Sequence, residues 1–269
     1  MNAQRIWRAR PLLGTVVTIQ LHTSEPERAH TAIEGAFEVI EKIQTLMSAH
    51  QASSDLGRLS RAQAGETLSI HPWTHEVMGL AQHWFHQSGG AFDPCKAARQ
   101  LRRPGIAPQV DGHLSDVVLL SDAKVLIQQP VMLDLGGIAK GYAVDKAVEQ
   151  LQQLGMPDGV VDAGGDIRAW GIEHASCEVR HASAQLRDRR MTKRLKLHNQ
   201  AVATSVAAPV NPEFVKSLNR RHTWRSATVL APDCVTADVL TKWVLQSSLL
   251  CPELGKILRQ YKAKMWRSE

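Results

Sequence analysis

Apolar residues recur at helical spacing at Ile33, Ala36, Phe37, Ile40, Ile43 and Met47, which predicts an amphipathic helix ending near Ser48 to His50. Ser24 and Glu27, just ahead of it, have the spacing of a capping box. Upstream, the β-branched run Thr15 to Ile19 inside Leu12 to Leu21 reads as a first strand. A second helix is predicted over Pro72 to Gln87, with Val77, Leu80, Ala81 and Trp84 inward. Between the two helices the chain turns polar from Gln51 to Gly65, where Ser53, Ser54 and Asp55 are placed to cap a short segment, Leu56 to Leu59.

The run from Ser88 to Pro94 is a glycine-rich turn ending in an X-Pro break, and residues 104 to 115 read as a loop. Three short β-like runs follow, Asp116 to Leu120, Lys124 to Gln128 and Val131 to Leu135. Tyr142 to Leu154 has helical spacing and closes on Gly155, and Gly159 to Ala163 reads as a buried strand entering a second diglycine turn at Gly164 and Gly165. Further strands are expected around Glu178 to His181, Arg194 to Leu197, Ala201 to Thr204 and Ser226 to Ala231. A helix then starts with Thr236 as N-cap and carries Asp238, Leu240, Val244 and Leu245. Long helices lie early and late with strands clustered between them, so the class is mixed α and β without regular alternation.

With 269 residues, 43% of them hydrophobic, the chain has enough apolar material for one domain over residues 1–269, or for two interlocked lobes. No apolar run has the length of a signal-peptide core or a membrane span, which gives the expectation of a soluble, cytoplasmic protein without membrane insertion. Cys95, Cys177, Cys234 and Cys251 are scattered without a C-x-x-C pair, a pattern of buried thiols rather than of a disulfide frame or zinc site. The net charge of +6 is concentrated around Arg187 to Lys196, but aromatic residues amount to 5% and none interleaves with that run. Without stacking platforms, nucleic acid is not expected as a partner.

The chemistry concentrates in Leu133 to Asp145, where Asp134, a Gly136-Gly137 turn, Lys140 and Gly141 precede the helix at Tyr142. Glycines let backbone approach a ligand, lysine offers a point charge, and a helix N-terminus presents N–H groups, so a phosphorylated ligand is the first candidate. The spacing is not that of a P-loop, because Tyr142 stands where that motif needs lysine. A strand ending in a turn that caps a helix accounts for the same residues.

Companion motifs bear on that choice. Arg10 to Thr15 (RPLLGT), Met47 to His50 (MSAH), Ser54 to Leu59 (SDLGRL), Gly90 to Pro94 (GAFDP), Leu133 to Asp145, Asp162 to Arg168 (DAGGDIR), Ala203 to Ser205 (ATS) and Thr236 to Asp238 (TAD) follow one another along the chain. In content and order this set resembles the FAD:protein FMN transferases, the ApbE-type flavin transferases, over nearly the whole chain. The resemblance implies an α+β fold of mixed, mainly antiparallel sheets with flanking helices. It also implies Mg²⁺-dependent transfer of the FMN moiety of FAD to a threonine hydroxyl of a flavin-accepting partner protein, releasing AMP. Position by position, it assigns Gly137 and Asp238 to the metal, and Leu13, His50, Ala91, Phe92, Asp93, Asp134 and Lys140 to FAD. Asp238, Lys140 and Asp166 are the candidate catalytic residues, with Asp166 and Asp238 suggested as bases by carboxylate chemistry alone.

Three positions depart from the family pattern. Lys242 stands four residues after Asp238 where a threonine is usual. Either the hydroxyl of Thr241, at i+3 and the third metal candidate, is recruited instead, or the Lys242 ammonium takes over part of the cation's work or repels the cation. After Ser205 the chain reads Val206 to Pro212 (VAAPVNP), with Ala208 where the family has a histidine, and Cys95 replaces a usual threonine. The alternative function is therefore an FAD-binding relative without transfer activity: a flavin carrier, an FAD hydrolase or an interaction protein.

Overall fold

The computed structural model describes residues 4–101, 110–171, 175–180, 192–207, 224–247 and 251–268. Its first element is a hairpin of β1 (Gln4–Leu12) and β2 (Thr15–Thr23). In β2 every second residue from Val17 to Thr23 is buried, whereas β1 buries only Ile6 and Leu12. That polar pattern is why the sequence predicts one strand here: a sheet-edge strand exposed on most positions carries little period-two signal. Leu13 and Gly14 form the turn, both in the left-handed region at φ 55° and 71° as a two-residue hairpin requires.

Helix α1 (Pro26–Leu46) buries Ile33, Ala36, Phe37, Ile40 and Ile43 as its spacing predicts. The expected Ser24–Glu27 capping box does not form. The N-cap is Glu25, whose side chain makes no capping bond, and the Glu25 amide donates to Thr23 Oγ1 at 3.0 Å. The short helix α2 (Asp55–Leu59) is capped by Ser54, which accepts from the Gly57 amide at 2.8 Å. A strand that the sequence reading passed over, β3 (Glu66–Ser69), precedes α3 (Pro72–Gln87), whose limits match the prediction, and α4 (Pro94–Leu101).

Strands β4 (Val117–Leu119) and β5 (Lys124–Ile127) join β3 in a three-stranded antiparallel sheet with β5 central. The third expected strand, Val131 to Leu135, is not one. Val131, Leu133 and Leu135 are buried alternately, but no strand pairs with them among the described residues; Leu133 N instead donates to Ser60 Oγ and Asp134 N to the Pro94 carbonyl, each at 3.2 Å. Burial alternation was right and the ladder was not implied by it. Helix α5 (Ala139–Gln153) begins a turn before the predicted Tyr142, so Lys140 and Gly141 lie inside its first turn.

Strands β6 (Gly159–Ala163) and β7 (Ile167–Trp170) follow, then the separate pair β8 (Ala175–Arg180) and β9 (Thr192–Leu197). Strands β10 (Gln200–Val206) and β11 (Ser226–Ala231) lead to α6 (Cys234–Gln246), α7 (Pro252–Gln260) and β12 (Lys264–Ser268). The main sheet is antiparallel throughout, in the order β1-β2-β6-β7-β10-β11-β12. The α6 cap is Asp233, which accepts from Thr236 N at 2.7 Å; the expected N-cap Thr236 is a residue inside the helix. No described helix is long and apolar enough to cross a membrane. Arg187, Arg189 and Arg190 of the basic run and the segment from Ala208 to Pro212 lie outside the described residues, while Lys193, Arg194 and Lys196 fall in β9.

Helices α1, α5 and α6 pack in sequence, and α6 lies on β10 and β11. The closest approach is at Gly141, where a Cβ would sit 2.5 Å from the Cys234 carbonyl oxygen and 3.0 Å from Asp238 Cβ. The obstacle is the backbone of a packed helix, which cannot swing aside. Gly141→Ala is expected to lower stability by about 1–3 kcal/mol in urea unfolding, the usual cost of overpacking, even though alanine favours an isolated helix by about 1 kcal/mol.

Candidate active site

Four segments meet where the first turns of α5 and α6 converge: the turn from Asp134 to Ile138, the Gly164-Gly165-Asp166 turn between β6 and β7, the end of β10 and the Phe92 loop. The Phe92 loop is tied to the first turn by the Asp134 N to Pro94 O bond at 3.2 Å. Phe92 is buried, with Cε2 3.1 Å from where a Gly137 Cβ would project, so only glycine leaves room for the ring. Each helix also supplies a carboxylate to the other's N-terminus. Asp145 of α5 accepts from Cys234 N and Val235 N, both at 2.9 Å, and Asp238 Oδ2 of α6 accepts from Gly141 N at 3.2 Å.

These carboxylates are buried and paired with cations. Asp166 has no exposed surface and takes the Lys140 ammonium on Oδ2, while its Oδ1 has no hydrogen-bond partner among the described residues. Burial, reinforced by the neighbouring Asp238 charge, pushes the Asp166 carboxyl up to about 6 against the pull of Lys140 and Lys242. Burial works against the charge of Lys140, but Asp238 and Asp166 outweigh it and raise its pKa above the usual lysine value. Asp145, paired with Arg168 at 2.6 Å, is also raised to about 6 by burial.

Asp238 and Thr241 are fully buried, and the residue that joins them is Lys242. Its Nζ donates to Asp238 Oδ1, to Ser205 Oγ at 2.6 Å and to Thr241 Oγ1 at 3.2 Å. Its stem lies along Gly137, with Cγ 3.4 Å from the position of a Cβ there. Thr241 Oγ1 donates to the Asp238 carbonyl at 2.7 Å and lies 2.6 Å from Ser205 Oγ. The residues assigned to Mg²⁺, Gly137, Asp238 and Thr241, are thus brought together, but around an ammonium. A dication on Asp238 Oδ1 would stand about 4 Å from that ammonium, a repulsion on the order of 8 kcal/mol at an effective dielectric of about 20. In this arrangement the donor set does not fit Mg²⁺, and no described group of three or more His, Cys, Asp or Glu offers another metal site.

Of the FAD candidates, Phe92 and Lys140 face this junction. Asp134 Oδ1 accepts from Gly136 N at 2.7 Å and shapes the turn, while Asp93 Oδ1 accepts from Cys95 N at 2.9 Å and Lys96 N at 3.2 Å at the start of α4. Ala91 is half-buried beside Phe92, and Leu13 sits in the β1–β2 turn with its amide held by the Gln44 side chain. His50 is exposed after α1, its amide 3.3 Å from Ser48 Oγ. The N–H groups expected to hold an anion are largely occupied: Gly136 by Asp134, Ile138 and Ala139 by the Leu135 carbonyl at 2.9 and 2.8 Å, and Gly141 by Asp238. Sequence reasoning missed Ser205 and Asp145 as site-forming residues, although both stand inside motifs it singled out.

Because Asp166 and Asp145 hold protons in the folded state up to about pH 6, against 3.8 for an ordinary aspartate, each contributes stability that is fully present below about pH 4 and lost as pH rises through about 6. Urea midpoints measured from pH 4 to 7 should fall over that window. Asp166→Asn is expected to make the fall shallower; an unchanged slope would assign the protons elsewhere.

Comparison with known proteins agrees with this architecture. The model of the ApbE family matches residues 13–208. A protein of Haemophilus influenzae named FAD:protein FMN transferase is 32% identical over 257 residues, covering 81% of this chain and 72% of the relative. One of the same name from Treponema pallidum is 30% identical over 200 residues, 66% of this chain; the chain spans about half of that relative's length, 54%. Among solved structures, the flavin transferase ApbE from Vibrio cholerae aligns with a TM-score of 0.80 at 20% identity, covering 99% of this chain and 98% of that one. The ApbE protein of Thermotoga maritima aligns with a TM-score of 0.78 at 21% identity, over 99% and 97%. The structural matches carry the fold, and the family model together with the Haemophilus relative carries the conclusion: this chain belongs to the ApbE family.

Proposed function

We propose that this chain is an FAD:protein FMN transferase, moving the FMN moiety of FAD to a threonine hydroxyl of a partner protein and releasing AMP. The observation that carries the reading is the convergence of two ammonium–carboxylate pairs, Lys140–Asp166 and Lys242–Asp238, on the glycine turn at the start of α5. Relatives named for this activity support it. The reaction joins the threonine oxygen to the FMN phosphorus and breaks that phosphorus's bond to the bridging oxygen, which leaves with AMP. Such a transfer needs positioning and charge compensation more than a covalent enzyme intermediate.

In this reading Lys140 meets the diphosphate, and Phe92, Ala91 and Leu13 contribute apolar surface toward the flavin nucleotide. Asp166 is the base assigned to the threonine proton, since its Oδ1 lacks a partner among the described residues and a carboxyl raised to about 6 is better matched to neutral pH than an ordinary one. Asp238 holds the α5 N-terminus in register with that geometry. The divalent cation implied by the family resemblance has no step here, because an ammonium occupies its donor set.

Incubation with FAD, Mg²⁺ and flavoproteins encoded beside its gene should yield a covalently fluorescent acceptor on a denaturing gel and an equal amount of AMP. Asp238→Ala should abolish both, and Asp166→Asn should slow labelling about 100-fold or more. FAD binding without label or AMP would favour a carrier, and AMP with free FMN would favour a hydrolase.

A further inference from the structure

Lys242 is a half-buried ammonium set among three oxygens from two elements of the fold. Asp238 Oδ1 and Thr241 Oγ1 come from α6 itself and Ser205 Oγ from β10, and the lysine stem packs along Gly137 of the turn before α5. An ammonium has three N–H donors, and the three oxygens satisfy them. The spacing i to i+4 places Asp238 and Lys242 on one face of α6, so the helix presents the anion and its counterion together. Ser205 and Thr241, at 2.6 Å from each other, close the oxygen cage from the strand side.

We propose that the Lys242 ammonium is the resident cation of this site, and that the chain binds FAD without a divalent metal. The proposal rests on the flavin-transfer reading for the identity of the ligand but not for the identity of the cation. A monovalent, covalently tethered cation neutralises Asp238 and joins α6 to the glycine turn, the connection a metal held by Gly137, Asp238 and Thr241 would make, and through Ser205 it ties in β10 as well. It does so at every concentration of free metal, and the same tether excludes a dication from Asp238.

The test separates metal binding from flavin binding. Mn²⁺ titrated into the FAD-free protein, followed by the loss of its free-ion electron paramagnetic signal, should show no stoichiometric site in the wild type. FAD affinity, read from quenching of flavin fluorescence, should agree within roughly threefold between Mg²⁺ and EDTA buffers. Lys242→Thr removes the ammonium and adds an oxygen, and is expected to bind one Mn²⁺ and to make FAD affinity fall about tenfold or more in EDTA. Lys242→Met removes the charge without adding an oxygen, and should weaken FAD binding equally in both buffers. Stoichiometric Mn²⁺ binding by the wild type, or a tenfold or greater loss of its FAD affinity in EDTA, overturns the proposal while leaving the flavin reading intact. Failure to bind FAD in any buffer overturns the flavin reading, and the Mn²⁺ titration of the wild type still decides the cation. Should Lys242→Thr not fold, the wild-type measurements and Lys242→Met decide it.

Discussion

The structure turns on an exchange between two helices. A helix N-terminus carries unsatisfied N–H groups and a partial positive charge, and when it is buried something must answer both. Here α5 and α6 bury their first turns against each other, and each answers for its neighbour: Asp145 takes the first amides of α6, and Asp238 takes the Gly141 amide of α5. The exchange works only at very short range, which is why a residue without a side chain stands at Gly141, facing the Cys234 carbonyl. Once the helices are locked in this way, the positions of Lys140, one residue before Gly141, and Lys242, one turn after Asp238, follow from helical geometry.

Burying carboxylates for this purpose creates a demand for cations. Arg168 meets Asp145, Lys140 meets Asp166 and Lys242 meets Asp238, so each buried charge has a counterion from another turn or element. Buried ion pairs give little net stability compared with well-packed apolar residues, while breaking one costs several kcal/mol. Such a cluster is poor economy for a fold and suitable preparation for a reaction that redistributes charge, because fixed charges need little reorganisation when the substrate's own charge moves. At Asp166 that compensation falls short, since burial and Asp238 together exceed what Lys140 and Lys242 return.

Much of this was legible in the sequence, for reasons that also explain the rest. The faces of α1 and α3 were readable because apolar spacing is a local property, and β6 and β11 because short runs centred on Val160-Val161 and Thr228-Val229 lie next to turns. β1 was not, since an edge strand exposed at most positions carries little alternation, nor were β7 and β12, whose identity depends on pairing in the sheet more than on their own pattern. Val131 to Leu135 erred in the opposite direction, with an alternating pattern but no partner strand. Asp134, Lys140, Asp166 and Asp238 stood out as polar residues in glycine turns and helix starts, while the cross-capping by Asp145 and the contact of Ser205 with Lys242 join residues 89 and 37 positions apart and left no local trace.

The glycine turn itself changes meaning once its hydrogen bonds are traced. From sequence, its N–H groups and the helix that follows form a cradle for phosphate. In the fold, the amides of Gly136, Ile138, Ala139 and Gly141 already have acceptors, one of them the buried Asp238. A diphosphate entering this junction therefore meets ammonium groups before it meets backbone. The glycines serve mainly to let Phe92, Lys242 and α6 approach, so the turn is a packing device that delivers Lys140 to Asp166 and admits Lys242 beside Asp238. On the proposed reading, charge recognition rests on two lysines whose separation is fixed by the meeting of two helices, and the anion is located by the same contact that holds the fold together.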